Sequence, residues 1–81
     1  MSKPLGVIIE DNADIAMIFS EALQASGFDT LIIRDGRKAL EYLKDEEPDV
    51  VILDLHLPNV SGVDILSRIR ADERLAGVRV L

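Results

Sequence analysis

Three acidic residues stand where two apolar runs end: Asp54 follows Val50-Val51-Ile52-Leu53, and Glu10 and Asp11 follow Gly6-Val7-Ile8-Ile9. Short continuous runs of Val, Ile and Leu read as buried strands, so two strands deliver three carboxylates to one edge. Two carboxylates about 4 Å apart repel by about 4 kcal/mol at an effective dielectric of about 20. Such an arrangement implies a cation, a trapped proton or a reaction. A carboxylate can be a covalent nucleophile, and phosphoryl transfer to an Asp needs a positioned oxygen and a cation to neutralise the phosphoryl charge. Asp54 supplies the oxygen. Glu10 and Asp11 supply the field for a hard divalent ion, best matched by Mg2+, which takes one or two carboxylates and keeps several waters. The competing explanation treats each acid as an ordinary solvated strand-end residue. Convergence of all three at one place in the fold weighs against it.

Placing these acids requires a particular order of elements. Apolar runs alternate with stretches of helical spacing. Leu5 to Ile9 is the first strand, and Ile15, Ile18, Phe19, Ala22 and Leu23 then recur at the offsets of one helix face. Asn12 stands at the N-cap position and Gly27 at the C-terminal stop. Phe28 to Ile33 reads as a second strand. Asp35 caps a second helix that turns Ala39, Leu40 and Leu43 inward, and Pro48 closes it. After the strand Val50 to Leu53, Ser61-Gly62-Val63-Asp64 resembles a capping box opening a helix with Ile65, Leu66 and Ile69. Gly77 precedes a fourth run, Val78 to Leu81. Alternation of this kind predicts an α/β fold with a parallel sheet covered on both faces, and ligand sites in such folds lie at the carboxyl ends of the strands.

The 81 residues predict one domain, residues 1–81, with no repeat or linker. Hydrophobic residues make up 48% and charged residues 30%, the profile of a globular chain with aliphatic packing. Nine Lys and Arg against fifteen Asp and Glu give a net charge of −6, which opposes nucleic-acid backbones and anionic lipid surfaces. Direct nucleic-acid binding and membrane association are therefore not expected. Cysteine is absent, which removes disulfides and thiolate zinc sites. No apolar run reaches spanning length and the N-terminus lacks a secretory pattern, so a cytoplasmic location is expected.

Glu10-Asp11-Asn12 after the first strand, Asp54 after Val-Val-Ile-Leu, then Leu57-Pro58 and Ser61-Gly62, together resemble the receiver domain of two-component response regulators. The resemblance implies a three-layer, flavodoxin-like receiver fold with strand order 2-1-3-4. It implies that Asp54 is the phosphoacceptor, receiving its phosphoryl group from a sensor histidine kinase or phosphotransfer protein. Asp11 would bind Mg2+ directly and Glu10 largely through water, with the main-chain carbonyl of His56 as a further ligand. Leu57 stands where the family commonly has Met, a volume-conserving exchange. The His56 side chain is expected to be a loop group pointing outward, since a lone His rarely builds a transition-metal site. Such a protein is a phosphoacceptor rather than an enzyme.

The same resemblance sets expectations about what the chain lacks. The family's domain has roughly five strands and five helices, so the last strand, the last two helices and the Ser or Thr and Lys that contact the phosphoryl group would fall beyond Leu81. Lys3, Lys38 and Lys44 do not substitute, so switching is expected to be impaired. Apolar side chains of the third and fourth strands are expected to lie bare on the face of the first helix, favouring a homo-oligomer through that face. A receiver-derived scaffold that self-associates without being phosphorylated is the alternative. A haloacid-dehalogenase-like phosphatase also uses an Asp nucleophile after an apolar strand, but places a second acid two residues later, where this chain has His56.

Overall fold

The computed structural model describes residues 2–81. Four strands form one parallel sheet in the order β2-β1-β3-β4, from β1 (Leu5–Ile9), β2 (Asp29–Ile33), β3 (Val50–Leu53) and β4 (Arg79–Val80). Three helices connect them, α1 (Ala13–Ala25), α2 (Gly36–Asp45) and α3 (Gly62–Ala71). Element order and strand order follow the expectation.

Side-chain alternation along the strands divides the sheet into two faces. Val7, Ile9, Ile33, Val51 and Leu53 meet Ala39 and Leu43 of α2 and Ile65 and Ile69 of α3 in one apolar cluster, which Leu57, Leu75 and Val78 complete. On the opposite face α1 lies close to the sheet through the small buried residues Ala16 and Ser20. The Ser20 hydroxyl and the Thr30 hydroxyl are 2.7 Å apart, and Gln24 Nε2 donates to Thr30 Oγ1 at 3.1 Å, which pins α1 over β2.

Each helix begins where a short polar side chain can accept an otherwise orphaned N–H. Asn12 Oδ1 accepts from Ile15 at 3.0 Å, Asp35 Oδ1 from Arg37 at 3.1 Å and Ser61 Oγ from Val63 at 3.2 Å. Ser61 thus caps through Val63, rather than as the reciprocal box its spacing to Asp64 suggests. Helix α1 ends in a Schellman arrangement: the Phe28 N–H donates to the Leu23 carbonyl and the Gly27 N–H to the Gln24 carbonyl, both at 3.0 Å. Gly27 has φ +93°, the left-handed region that favours glycine.

Two expectations need correction. First, the buried stripe of α1 is Ala16, Ser20 and half-buried Leu23, one residue round from the predicted face, which leaves Ile15, Met17, Ile18 and Phe19 exposed. The apolar arc of α1 is wider than the sheet contact, and the small residues win that contact because they let the helix approach closely. Second, the first-helix face is bare only in part. Val50 is buried and Ile52 half-buried there, while Leu81, which follows β4 on that face, is 72% exposed. Val50 fills the space over Gly6, where its Cγ1 would lie 3.2 Å from a Cβ at that position. A 3-10 turn, Glu73–Leu75, also intervenes between α3 and β4, with Asp72 Oδ1 accepting from the Arg74 N–H at 3.0 Å. The Arg74 guanidinium reaches back to donate to the Leu43 and Glu46 carbonyls, so it closes the C-terminal end of α2.

Two glycines offer a clean test of backbone conformation, since a Cβ added at either would meet no atom within 4 Å. Gly27→Ala is expected to lower stability by roughly 1–2 kcal/mol, purely from the left-handed conformation. Gly77→Ala, where φ is not positive, should instead raise stability by roughly 0.4–1 kcal/mol by restricting the unfolded chain. Urea unfolding of both variants against the unsubstituted chain checks the opposite signs.

Candidate functional site

The carboxyl ends of β1 and β3 finish level. Ile9 is paired with Leu53, and the Asp54 N–H donates to the Ile9 carbonyl at 2.9 Å. On the other side Ile9 is paired with Ile33, and the Glu10 N–H donates to the Ile33 carbonyl at 3.1 Å. The residues that follow the strands therefore leave the sheet side by side. Glu10 is buried, Asp11 and Asp54 are half-buried, and one carboxylate oxygen from each lies within 4.8 Å of the others.

Main-chain groups hold this cluster from both sides. The His56 N–H donates to Asp54 Oδ1 at 2.9 Å, and the Asn12 N–H donates to Glu10 Oε2 at 3.2 Å. These contacts separate the acids in proton affinity. Burial pushes the Glu10 carboxyl above its usual range, against the opposing pull of the Asn12 N–H, and Asp11 and Asp54 push it further up. The His56 N–H, acting against burial, holds Asp54 below the usual range, assisted by its contacts with Glu10 and Asp11. Without a cation, Glu10 is thus the member of the pair that keeps a proton more readily, and Asp54 is the standing anion.

The donor set suits a hard cation. Oxygens on opposite sides of an octahedral Mg2+ are roughly 4 Å apart, close to the span of this cluster, and a cation would offset both the burial and the neighbouring carboxylates that raise Glu10. The three predicted acids are brought together as expected. The His56 side chain is exposed and outside the cluster, as expected, and its main chain directly follows the pinned Asp54 loop. Leu57 is buried in the core, so the exchange for Met keeps the loop anchored.

Two contributors go beyond the sequence reading: Gly62, which it names without this role, and Arg34, which it misses. Gly62 at the start of α3 is so close to the Asp54 loop that an added Cβ would fall 2.3 Å from the Asp54 carbonyl oxygen and 2.5 Å from the Leu55 Cα. Its place beside a helix cap marks it in sequence, but the backbone it touches is invisible there. Arg34 is the second: Nε and Nη2 donate to the Asp11 carbonyl at 3.1 and 2.9 Å. It is the first residue after β2, the position type that identified Glu10 and Asp54, and that rule applied to every strand would have found it.

Gly62→Ala must displace main chain and not a flexible side-chain tip. It is expected to lower stability by about 1–3 kcal/mol and to move the His56 amide resonance, which a two-dimensional NMR spectrum reports. The sign for Glu10 follows from its raised pKa. A carboxyl raised by folding destabilises the native state once pH exceeds its native pKa, and this penalty vanishes below the unfolded value. Glu10→Gln is therefore expected to raise the Tm of the metal-free chain at neutral pH. The gain should shrink as pH falls and Glu10 is protonated, which thermal unfolding across pH checks.

Comparison with known proteins agrees with this geometry. A family model described as the response regulator receiver domain matches residues 7–81. The polar-differentiation response regulator DivK of Brucella abortus is 33% identical over 75 residues, covering 93% of this chain and 61% of DivK. The DNA-binding response regulator MtrA of Mycobacterium tuberculosis is 39% identical over 66 residues, covering 82% of this chain and 29% of MtrA. The crystal structure of response regulator TrrA from Thermotoga maritima in complex with Mg2+–BeF superposes with TM-score 0.85 at 25% identity, covering 95% of this chain and 65% of TrrA. The chain thus spans less than two thirds of the length of each of these relatives. With the sheet order, the level strand ends and the acidic cluster all in agreement, the chain belongs to the response regulator receiver domain family, with its flavodoxin-like fold.

Proposed function

We propose that this chain is the phosphoacceptor module of a two-component phosphorelay, accepting a phosphoryl group on Asp54 in a Mg2+-dependent reaction. The observation that carries this reading is the cluster itself: three carboxylates within 4.8 Å at the ends of adjacent strands, in a receiver-family chain. Glu10, Asp11, Asp54 and the His56 main-chain carbonyl are the groups that would hold Mg2+. When bound, Mg2+ offsets negative charge on the phosphoryl oxygens.

The chain's own residues supply position and nucleophile. An Asp54 carboxylate oxygen forms the new P–O bond as the P–N bond of a phosphohistidine breaks, and the imidazole leaves with its electron pair. The His56 N–H orients the carboxylate and keeps it anionic, so no base is needed to activate it. Each molecule takes one phosphoryl group, which makes the chain a reactant in the relay and not an enzyme acting on a pool of substrate. The partner is a sensor histidine kinase or phosphotransfer protein, and cytoplasmic residence suits such a partner. A net charge of −6 favours a protein partner over direct nucleic-acid contact. Among the described residues no helix is long and apolar enough to cross a membrane.

A second reading draws on the exposed side chains of α1, where Ile15, Met17, Ile18 and Phe19 are 42, 53, 65 and 38% exposed. In that reading the chain is a receiver-derived scaffold, and two copies associate through an apolar surface without phosphorylation. One experiment separates the two. The chain and Asp54→Asn are incubated with Mg2+ and acetyl phosphate, and intact mass is read alongside light scattering. The phosphoacceptor reading expects one added phosphoryl group, lost in Asp54→Asn and on chelation of Mg2+. No added mass in a folded chain, with Mg2+-independent association, would favour the scaffold.

A further inference from the structure

We propose that Arg34 is a positioning residue for the cation site, acting through the peptide group between Asp11 and Asn12; the proposal rests on the metal-binding reading above. Both polar ends of that one peptide are held. Its carbonyl accepts two bonds from the Arg34 guanidinium, at 3.1 and 2.9 Å, and its N–H donates to Glu10 Oε2 at 3.2 Å. A cation on one side and a carboxylate on the other thus fix the peptide plane in a single orientation. The plane sets ψ at Asp11 and φ at Asn12, and with them the direction from which the Asp11 carboxylate approaches Glu10 and Asp54.

The arrangement follows from the sheet register. Ile33 of β2 is paired with Ile9 of β1, and the Ile33 carbonyl accepts from the Glu10 N–H, so Arg34 and Glu10 emerge from neighbouring strands at one level. A residue after β2 is therefore near the loop that carries Asp11. Arginine suits the position because its planar fork can place two donors on one carbonyl oxygen, which holds orientation as well as distance. Lysine at the same place could supply charge with a single donor direction.

Two effects of Arg34 on a cation oppose each other. Its charge repels the ion, whereas its hydrogen bonds hold Asp11 ready for it. Arg34 is exposed, so its charge acts on the ion through high-dielectric water and added salt, both of which weaken the repulsion. The hydrogen bonds act at contact distance and are not screened in this way. Orientation is therefore the larger effect, and removing Arg34 weakens the site.

The test titrates Mg2+ alone into the unsubstituted chain, Arg34→Ala and Arg34→Lys by calorimetry, and measures Asn12 amide exchange in the metal-free proteins. Groups that orient metal ligands typically contribute roughly 10- to 100-fold, and an exposed one belongs at or below the lower end. Arg34→Ala is expected to weaken Mg2+ binding by roughly 3- to 10-fold and to speed Asn12 exchange, with Tm nearly unchanged. Arg34→Lys should fall between, since charge without the fork restores only part of the effect. Equal or tighter Mg2+ binding by Arg34→Ala overturns the proposal, as does full rescue by Arg34→Lys. Absence of Mg2+ binding by the unsubstituted chain overturns the metal-binding reading, and the proposal with it; binding indifferent to Arg34 overturns the proposal alone.

Discussion

The hydrogen bond from the Asp54 N–H to the Ile9 carbonyl, 2.9 Å long, sets the register of β3 on β1, and the site depends on that register. Shifting a strand by one residue moves every side chain to the opposite face. Here a slip would also carry Asp54 away from Glu10 and invert the core contributions of Val51 and Leu53. The apolar cluster between the sheet and α2 and α3 therefore enforces the same register that gathers the acids. Packing and chemistry are specified by one pairing.

The acids still repel one another, and the molecule accommodates this by unequal treatment. Asp54 receives a main-chain N–H and remains easily ionised; Glu10 is buried and holds its proton more readily. The resulting site is tolerable without a cation, and a cation would offset the cost of burying the Glu10 carboxylate beside Asp11 and Asp54. Close main-chain contact completes the arrangement. Gly62 lets the start of α3 press on the Asp54–Leu55 backbone, and Arg34 and Glu10 grip the Asp11–Asn12 peptide from opposite ends. The loops that carry the chemistry are thus tied to strands and a helix.

Much of this was legible in the sequence because it depends on periodicity and caps. The apolar runs locate β1 and β3, and a polar residue directly after each run is forced out at the sheet edge, so Glu10, Asp11 and Asp54 are readable. Asn12, Asp35 and Ser61 announce their helices through local hydrogen bonds. What was not legible depends on long-range fit. The inward face of α1 is chosen by the small residues Ala16 and Ser20, while helical spacing alone points to the bulkier Ile15, Ile18 and Phe19. The reach of Arg74 to the end of α2 spans 31 residues to Leu43, and no local pattern encodes it. Leu81 alone fits the expected bare face, since Val50 is covered once Gly6 makes room for it.

A crystal of the chain grown with Mn2+, a close mimic of Mg2+ with a usable anomalous signal, tests the central claim most directly. The account predicts one strong anomalous peak at ligand distance from Asp11, Asp54 and the His56 main-chain carbonyl, with Glu10 beside it. A peak elsewhere on the molecule, or an acidic cluster left empty at saturating Mn2+, would contradict it.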